Sequence, residues 1–229
     1  MSTSLFRTGR EGLLALLRAI NVRPGDEIII QGYTCVVLPN AIHAAGGTPI
    51  YADIDPETLN LTSETIEPLL SPRTKAIICQ HTFGIPSPLS ALRKFCDTRG
   101  IFLIEDCAHT FPDAIETGEI GACGDAVIVS FGRDKGISGI SGGAVFTRKE
   151  DIGSVVRELE HSALCMRWID VLALLTYPLR MMWITRPLHG RACNRSIHWI
   201  LGKIGLIPRI TSKDEKHGRM SPKIGRAHV

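Results

Sequence analysis

No Cys-x-x-Cys spacing occurs in this sequence. Its seven cysteines, Cys35, Cys79, Cys96, Cys107, Cys123, Cys165 and Cys193, make an odd number and sit mostly within apolar runs. That pattern argues against a disulfide framework or a zinc site and for a reducing, cytoplasmic setting. The first ten residues place no long apolar run behind a basic start, so no secretory signal is read there. A bilayer span is missing too: the longest uncharged apolar stretch of the second part of the chain, residues 171–179, is bracketed by Arg167, Asp170 and Arg180 and is too short to cross. Neither a Walker-type phosphate loop nor a Gly-x-Gly-x-x-Gly fingerprint is present, which removes the usual competing nucleotide sites. A nucleic-acid recognition motif is also lacking, so the basic tail is not read as a nucleic-acid binder. There is no internal repeat and no low-complexity tract.

What is present is an ordinary globular composition, 44% hydrophobic and 21% charged over 229 residues, enough for one substantial core. The net charge of +3 hides a division. Residues 1–163 carry 14 basic and 20 acidic side chains, and residues 164–229 carry 12 and 3. In the first part, strand-like runs at 27–31, 49–52, 75–80, 101–105, 126–130 and 144–147 alternate with helix-like stretches at 36–45, 65–70 and 89–98. This alternation predicts an α/β fold with a mostly parallel central sheet and helices on both faces. The runs Ile28-Ile29-Ile30, Ala76-Ile77-Ile78 and Ile101-Phe102-Leu103-Ile104 are continuously apolar, as strands buried on both sides require.

Beyond a charged helix at 149–161, residues 164–210 turn basic and apolar, with seven Arg/Lys against one Asp. Three regions are therefore expected: a large α/β domain at 1–163, a basic apolar helical segment at 164–222, and a terminal stretch at 223–229. The segment 164–210 reads either as a core helix pair or subunit contact, or as a peripheral contact with an anionic membrane surface. The terminal Ile-Gly-Arg-Ala-His-Val resembles a translated sequencing adapter, so the natural chain is expected to continue past residue 222.

Three features of the first part carry chemistry. Asp106 closes a buried strand, where a carboxylate meets the crevice in which α/β sheets collect ligands; its other reading is a helix cap at Cys107. Lys135 follows the strand at 126–130 and runs into a stretch holding Gly136, Gly139, Gly142 and Gly143, where the backbone can bend closely round a ligand. Gly9 and Arg10 open a helix towards Ile20, whose free N–H groups suit an anion, and Ser130 adds a hydroxyl. His81, at the end of the strand at 75–80, is expected to point to the same crevice without an assigned role.

Taken in order, the Gly9 helix, Tyr33-Thr34, Glu105-Asp106-Cys107-Ala108-His109, Gly124-Asp125, Ser130-Phe131, Lys135 and Gly142-Gly143 resemble the DegT/DnrJ/StrS family of sugar aminotransferases. The similarity runs from Phe6 to Thr147, through Pro24-Gly25-Asp26-Glu27 and Gly47-Thr48-Pro49-Ile50. It implies an aspartate-aminotransferase-like large domain and pyridoxal 5'-phosphate as cofactor. Lys135 would be the Schiff-base lysine and proton shuttle, Asp106 would hold the pyridine nitrogen protonated, and His109 would bond the phenolate oxygen. Gly9, Arg10 and Ser130 would take the phosphate, and Tyr33 and Thr34 would lie against the cofactor.

Two departures bear on this set. The family usually has Gly-Thr where this chain has Gly9-Arg10, although an arginine can pair a phosphate in two-pronged fashion. An aromatic residue usually follows the matching threonine, and here that residue is Cys35. Tyr33 stacks in its place only if the loop is rotated by one position. The implied reaction passes an amine from an amino acid, by family expectation glutamate, to a nucleotide-linked keto sugar for surface polysaccharide or lipopolysaccharide. A homodimer is expected of the intact enzyme. A non-catalytic sensor or scaffold that binds the cofactor or a sugar nucleotide is the rival reading.

Overall fold

The computed structural model describes residues 1–112, 120–184, 196, 199–201, 213–218, 220 and 223–226. Its frame is one sheet. β1 (Ser2–Phe6), β2 (Glu27–Gln31), β3 (Thr48–Ala52), β4 (Thr74–Gln80), β5 (Phe102–Cys107), β6 (Ala126–Ser130) and β7 (Gly143–Thr147) lie in the order β3-β2-β4-β5-β6-β7-β1. The first five in that order run parallel, while β7 is antiparallel to both β6 and β1. All six strands read from the sequence are there, with ends shifted by a residue or so. The seventh, β1, was not expected, because its Ser2-Thr3-Ser4 start carries little apolar signal. It forms by pairing residue for residue with β7, Ser2 opposite Thr147 and Phe6 opposite Gly143.

Strand residues point alternately to the two faces, and here both faces are dry. Ile28, Ile30, Ala76, Ile78, Ile104 and Ile128 pack with α1 (Gly9–Ala19), α2 (Val37–Ala45) and α5 (Glu150–Ser162). Ile29, Ile77, Cys79 and Leu103 pack on the other face with α3 (Ser63–Ile66) and α4 (Leu89–Asp97). This explains why the strands read as unbroken apolar runs. The expected helix at 65–70 is shorter than its pattern: Pro68 sits in a 3-10 turn, Glu67–Leu69, that follows α3. α1 begins at a Thr8 cap whose hydroxyl accepts the Glu11 N–H, and α2 ends on Gly46 at φ 98°, a left-handed position that glycine takes without strain.

The second region has a different character. A two-residue strand β8 (Leu164–Cys165) leads into α6 (Trp168–Leu175) and α7 (Tyr177–Ile184), which leave Trp168, Leu175, Leu179 and Trp183 exposed. β9 (Gly225–Arg226) joins β8 to β1 at the sheet edge, and Ile224 is buried in the first core. Residues 185–195, Cys193 included, and 197–198, 202–212, 219, 221–222 and 227–229 lie outside the described residues. Among the described residues no helix is long and apolar enough to cross a membrane.

Candidate active site

A cleft opens at the carboxyl ends of β4, β5 and β6, where the amino ends of α1 and α2 converge. Gly9, Arg10, Asp106, His109, Ser130 and Lys135 all line it, together with Cys35, Gln80 and Arg133. Six of the eight residues singled out from the sequence are thus brought to one place from segments more than a hundred positions apart.

Asp106 stands at the floor, 4% exposed. Burial pushes its carboxyl above the ordinary value of 3.8, against the N–H of Ala108 and the nearby Lys135, His109 and His81. The Ala108 N–H donates to Oδ1 at 2.9 Å, so this residue both closes a turn and keeps a carboxylate in the cleft. A buried carboxyl made reluctant to ionise is one that gains from a cationic partner.

The anion end is built by close backbone packing. A Cβ on Gly9 would meet the Ser130 Cβ at 3.1 Å, and one on Gly143 would lie 2.4 Å from the Gly9 nitrogen. Only glycine at 143 lets β7 pass this close to α1, which brings the first N–H groups of α1 beside the Ser130 hydroxyl. Those groups have no partner within the helix and carry the positive end of its dipole. Arg10 is paired with Glu215, which lies in the short helix Lys213–Lys216, and Asn40 Nδ2 donates to the Glu215 carbonyl at 2.8 Å.

Lys135, half-buried, ends a turn in which its N–H donates to the Gly132 carbonyl at 3.1 Å. The loop beyond folds back: Phe131 N–H reaches the Gly142 carbonyl at 2.9 Å, and the Ser141 hydroxyl donates to the Arg7 carbonyl at 2.6 Å. These contacts tie the loop after Lys135 back to the end of β6 and to the segment that leads into α1.

Tyr33 and Thr34 are placed differently. Tyr33 does not line the cleft; it is 58% exposed and tilts against Phe83, ring centroids 5.9 Å apart. Thr34 also stands behind the wall, its hydroxyl 2.8 Å from Gln80 Oε1, and reaches the cleft only through Gln80. The lining position belongs to Cys35, the residue directly after Thr34. The backbone has not rotated to bring the tyrosine in.

His109 faces the cleft with one ring nitrogen spoken for. The Phe83 N–H donates to its Nδ1 at 3.2 Å, and the two rings stack at 6.0 Å and 12°. The neutral ring then carries its proton on Nε2, the nitrogen left for a ligand. Phe83 holds a left-handed φ of 55° to make this contact, a cost expected at functional rims.

His81, expected to point into the crevice, does not. It is fully buried behind Asp106, with Nδ1 accepting the Ser87 N–H at 3.2 Å and Nε2 3.2 Å from Glu105 Oε2. Glu105 also accepts from the N–H groups of Gly121 at 2.7 Å, Cys123 at 2.9 Å and Gly124. The His81 contact, with the Gly124 and Gly121 N–H bonds, holds its carboxyl below the ordinary range despite burial. The pair ties the loop 121–124 to the end of β5 and so steadies the strand that presents Asp106. Sequence reasoning missed Gln80 and Arg133; both sit beside residues it selected, and neither type announces a role alone.

Similarity to known proteins agrees with this geometry. Residues 6–181 match the profile of the DegT/DnrJ/EryC1/StrS aminotransferase family. An L-glutamine:2-deoxy-scyllo-inosose aminotransferase of Streptomyces fradiae is 30% identical over 159 residues, 69% of this chain and 38% of the relative. Among solved structures, NtdA of Bacillus subtilis with bound cofactor PMP superposes with a TM-score of 0.65 at 26% identity, over 71% of this chain and 37% of that one. DesI, solved in the presence of its TDP-sugar product, gives 0.65 at 33% identity, over 69% and 40%. The chain thus spans about two fifths of the length of these relatives. Lys135, Asp106 and the Gly9 helix stand at one cleft of a sheet with β7 reversed, within the matched span, and the chain belongs to the DegT/DnrJ/EryC1/StrS aminotransferase family.

Proposed function

We propose that the whole protein is a pyridoxal-phosphate-dependent aminotransferase that moves an amine from an amino acid to a keto sugar carried on a nucleotide. The observation that carries this is the meeting of Lys135, Asp106 and the Ser130–Gly9 corner in one cleft. The cleft suits the cofactor: a cradle that a Cβ would fill for the phosphate, a buried carboxyl for the ring nitrogen, an Nε2–H for the phenolate oxygen and an amine for the carbonyl carbon.

When bound, pyridoxal phosphate supplies an electron sink for the carbanion left as the substrate carbon loses its proton. Asp106 keeps the ring nitrogen protonated by giving it a buried counter-charge. Lys135, whose amine would hold the cofactor's carbonyl carbon, would also be the base that takes the proton from the substrate carbon. Ser130 and the first turn of α1 anchor the phosphate, so the lysine works at a fixed distance.

The nucleotide-sugar reading draws on the 33% identity to DesI, with its TDP-sugar product. The Streptomyces relative, which takes L-glutamine and a keto-inosose, favours a second reading in which the donor is glutamine and the acceptor a free cyclic ketone. A role in surface polysaccharide or lipopolysaccharide synthesis, a cytoplasmic homodimer, and a peripheral membrane contact through 164–210 belong to the same proposal. The test is an absorbance spectrum with added pyridoxal phosphate, before and after borohydride, beside Lys135→Ala. A visible band, reducible in the parent and missing in the variant, is expected; a soluble, folded parent without a band sinks the reading and leaves a binding-only sensor.

A further inference from the structure

We infer that Arg133 forms an anion subsite for the diphosphate of the substrate, at the junction between the cleft and a second cavity. This rests on the nucleotide-sugar reading and gives it a residue that no resemblance assigned. Arg133 occupies the corner of the turn that ends at Lys135, closed by the bond from Lys135 N–H to the Gly132 carbonyl. Arg133 and Lys135 therefore line the same cleft from one turn.

The second cavity opens to solvent and is lined by Arg133, Ser138, Gly139, Ile140, Tyr177 and Pro178. Arg133 and Ile140 line both spaces, so a ligand that starts at Lys135 and extends outward passes the guanidinium on its way. Tyr177, from α7, fixes that guanidinium from the far side. Arg133 Nη1 donates to the Tyr177 hydroxyl at 2.8 Å, and the guanidinium carbon lies 4.9 Å from the ring centroid. Among the described residues Arg133 pairs with no carboxylate. A guanidinium has five N–H donors, and a single hydroxyl leaves most of them for a ligand.

The position within the double space selects the anion. A small amino acid bound at Lys135 ends at its carboxylate and needs no room beyond it. A nucleotide-linked sugar carries its charge in the middle, with the sugar on one side and the nucleoside on the other. Arg133 stands at such a midpoint, with the Tyr177 and Pro178 wall beyond it for the nucleoside. The planar fork of arginine suits two phosphate oxygens at once.

Titration calorimetry of the full chain loaded with pyridoxal phosphate tests this, with uridine diphosphate as the probe and L-glutamate as the control. The parent should bind the diphosphate, and Arg133→Ala should bind it about 10- to 100-fold more weakly, the loss of charge-assisted hydrogen bonds. Arg133→Lys, which keeps the charge and loses the fork, should fall between. The reducible absorbance band should be the same in all three, because Arg133 holds no part of the cofactor. Equal diphosphate affinity across the three, or no diphosphate binding by the banded parent, overturns the subsite. Arg133-dependent binding of glutamate alone overturns the diphosphate assignment. A parent without the band instead overturns the aminotransferase reading beneath it. Should Arg133→Ala fail to fold, Arg133→Lys and Tyr177→Phe carry the same comparison, and Tyr177→Phe should weaken the diphosphate by loosening the fork.

Discussion

Asp106 shows how one residue can cost stability and be kept for its chemistry. Burial lifts its carboxyl above the ordinary 3.8, so ionising it in the cofactor-free chain works against the fold. A carboxyl raised on folding leaves stability intact below its unfolded value, and that stability is lost as pH rises through the folded value. Asp106→Asn removes the charge while keeping the shape. At neutral pH the cofactor-free variant should therefore melt above the parent, with the gap closing towards pH ~4. Thermal melts across that range check this, and a gap that widens on acidification would contradict it. With cofactor present the order should reverse, because the amide supplies no counter-charge to the ring nitrogen. Glu105, one residue earlier, behaves oppositely: against burial, His81 and the N–H groups of Gly124 and Gly121 hold its carboxyl low, and it serves the frame rather than the cleft.

Among the elements, α1 and β7 set the anion site together. The Gly143 to Gly9 approach leaves no room for a methyl group, so the position of the helix start depends on a strand 134 residues away. Gly143→Ala should push the two apart. The expected loss is about 1–3 kcal/mol of stability, in the range of an overpacked core, with weaker pyridoxal phosphate binding besides. Denaturant unfolding and a fluorescence titration of the cofactor measure the two effects. An alanine variant with parental affinity would mean that the helix start does not hold the phosphate. The pairing of Arg10 with Glu215 adds that a carboxylate stands where a phosphate was expected to meet the arginine.

On the scale of the whole molecule, the uneven surface is the main feature. The sheet is covered on both faces, whereas α6 and α7 present Trp168 at 75% exposure, Leu175 at 71%, and also Leu172, Leu179 and Met182. Contiguous apolar surface of this kind tends to find a partner. The chain should sediment faster than a monomer as concentration rises. If the basic segment also meets membranes, vesicles containing anionic lipid should carry it upward in flotation where neutral vesicles do not. Monomeric sedimentation at high concentration, with flotation indifferent to lipid charge, would assign the exposed face to neither partner.

The sequence by itself determined the architecture, because buried parallel strands must be apolar on both faces and crossover helices must be amphipathic, and both patterns survive in any reading of residues 27–147. It also determined Lys135 and Asp106, whose places after strands send them to the carboxyl edge of the sheet. β1 was invisible because its stability comes from β7, a partner far along the chain, rather than from its own residues. Only the tertiary structure decided which neighbours of the selected residues line the cleft. Cys35 rather than Tyr33 faces inward because backbone direction at the start of α2 is set by packing, and His81 turns away because Glu105 offers it a buried partner. Arg133 became visible for the same reason: a charge is legible in a sequence, but the space on either side of it exists only once α7 has folded against the loop.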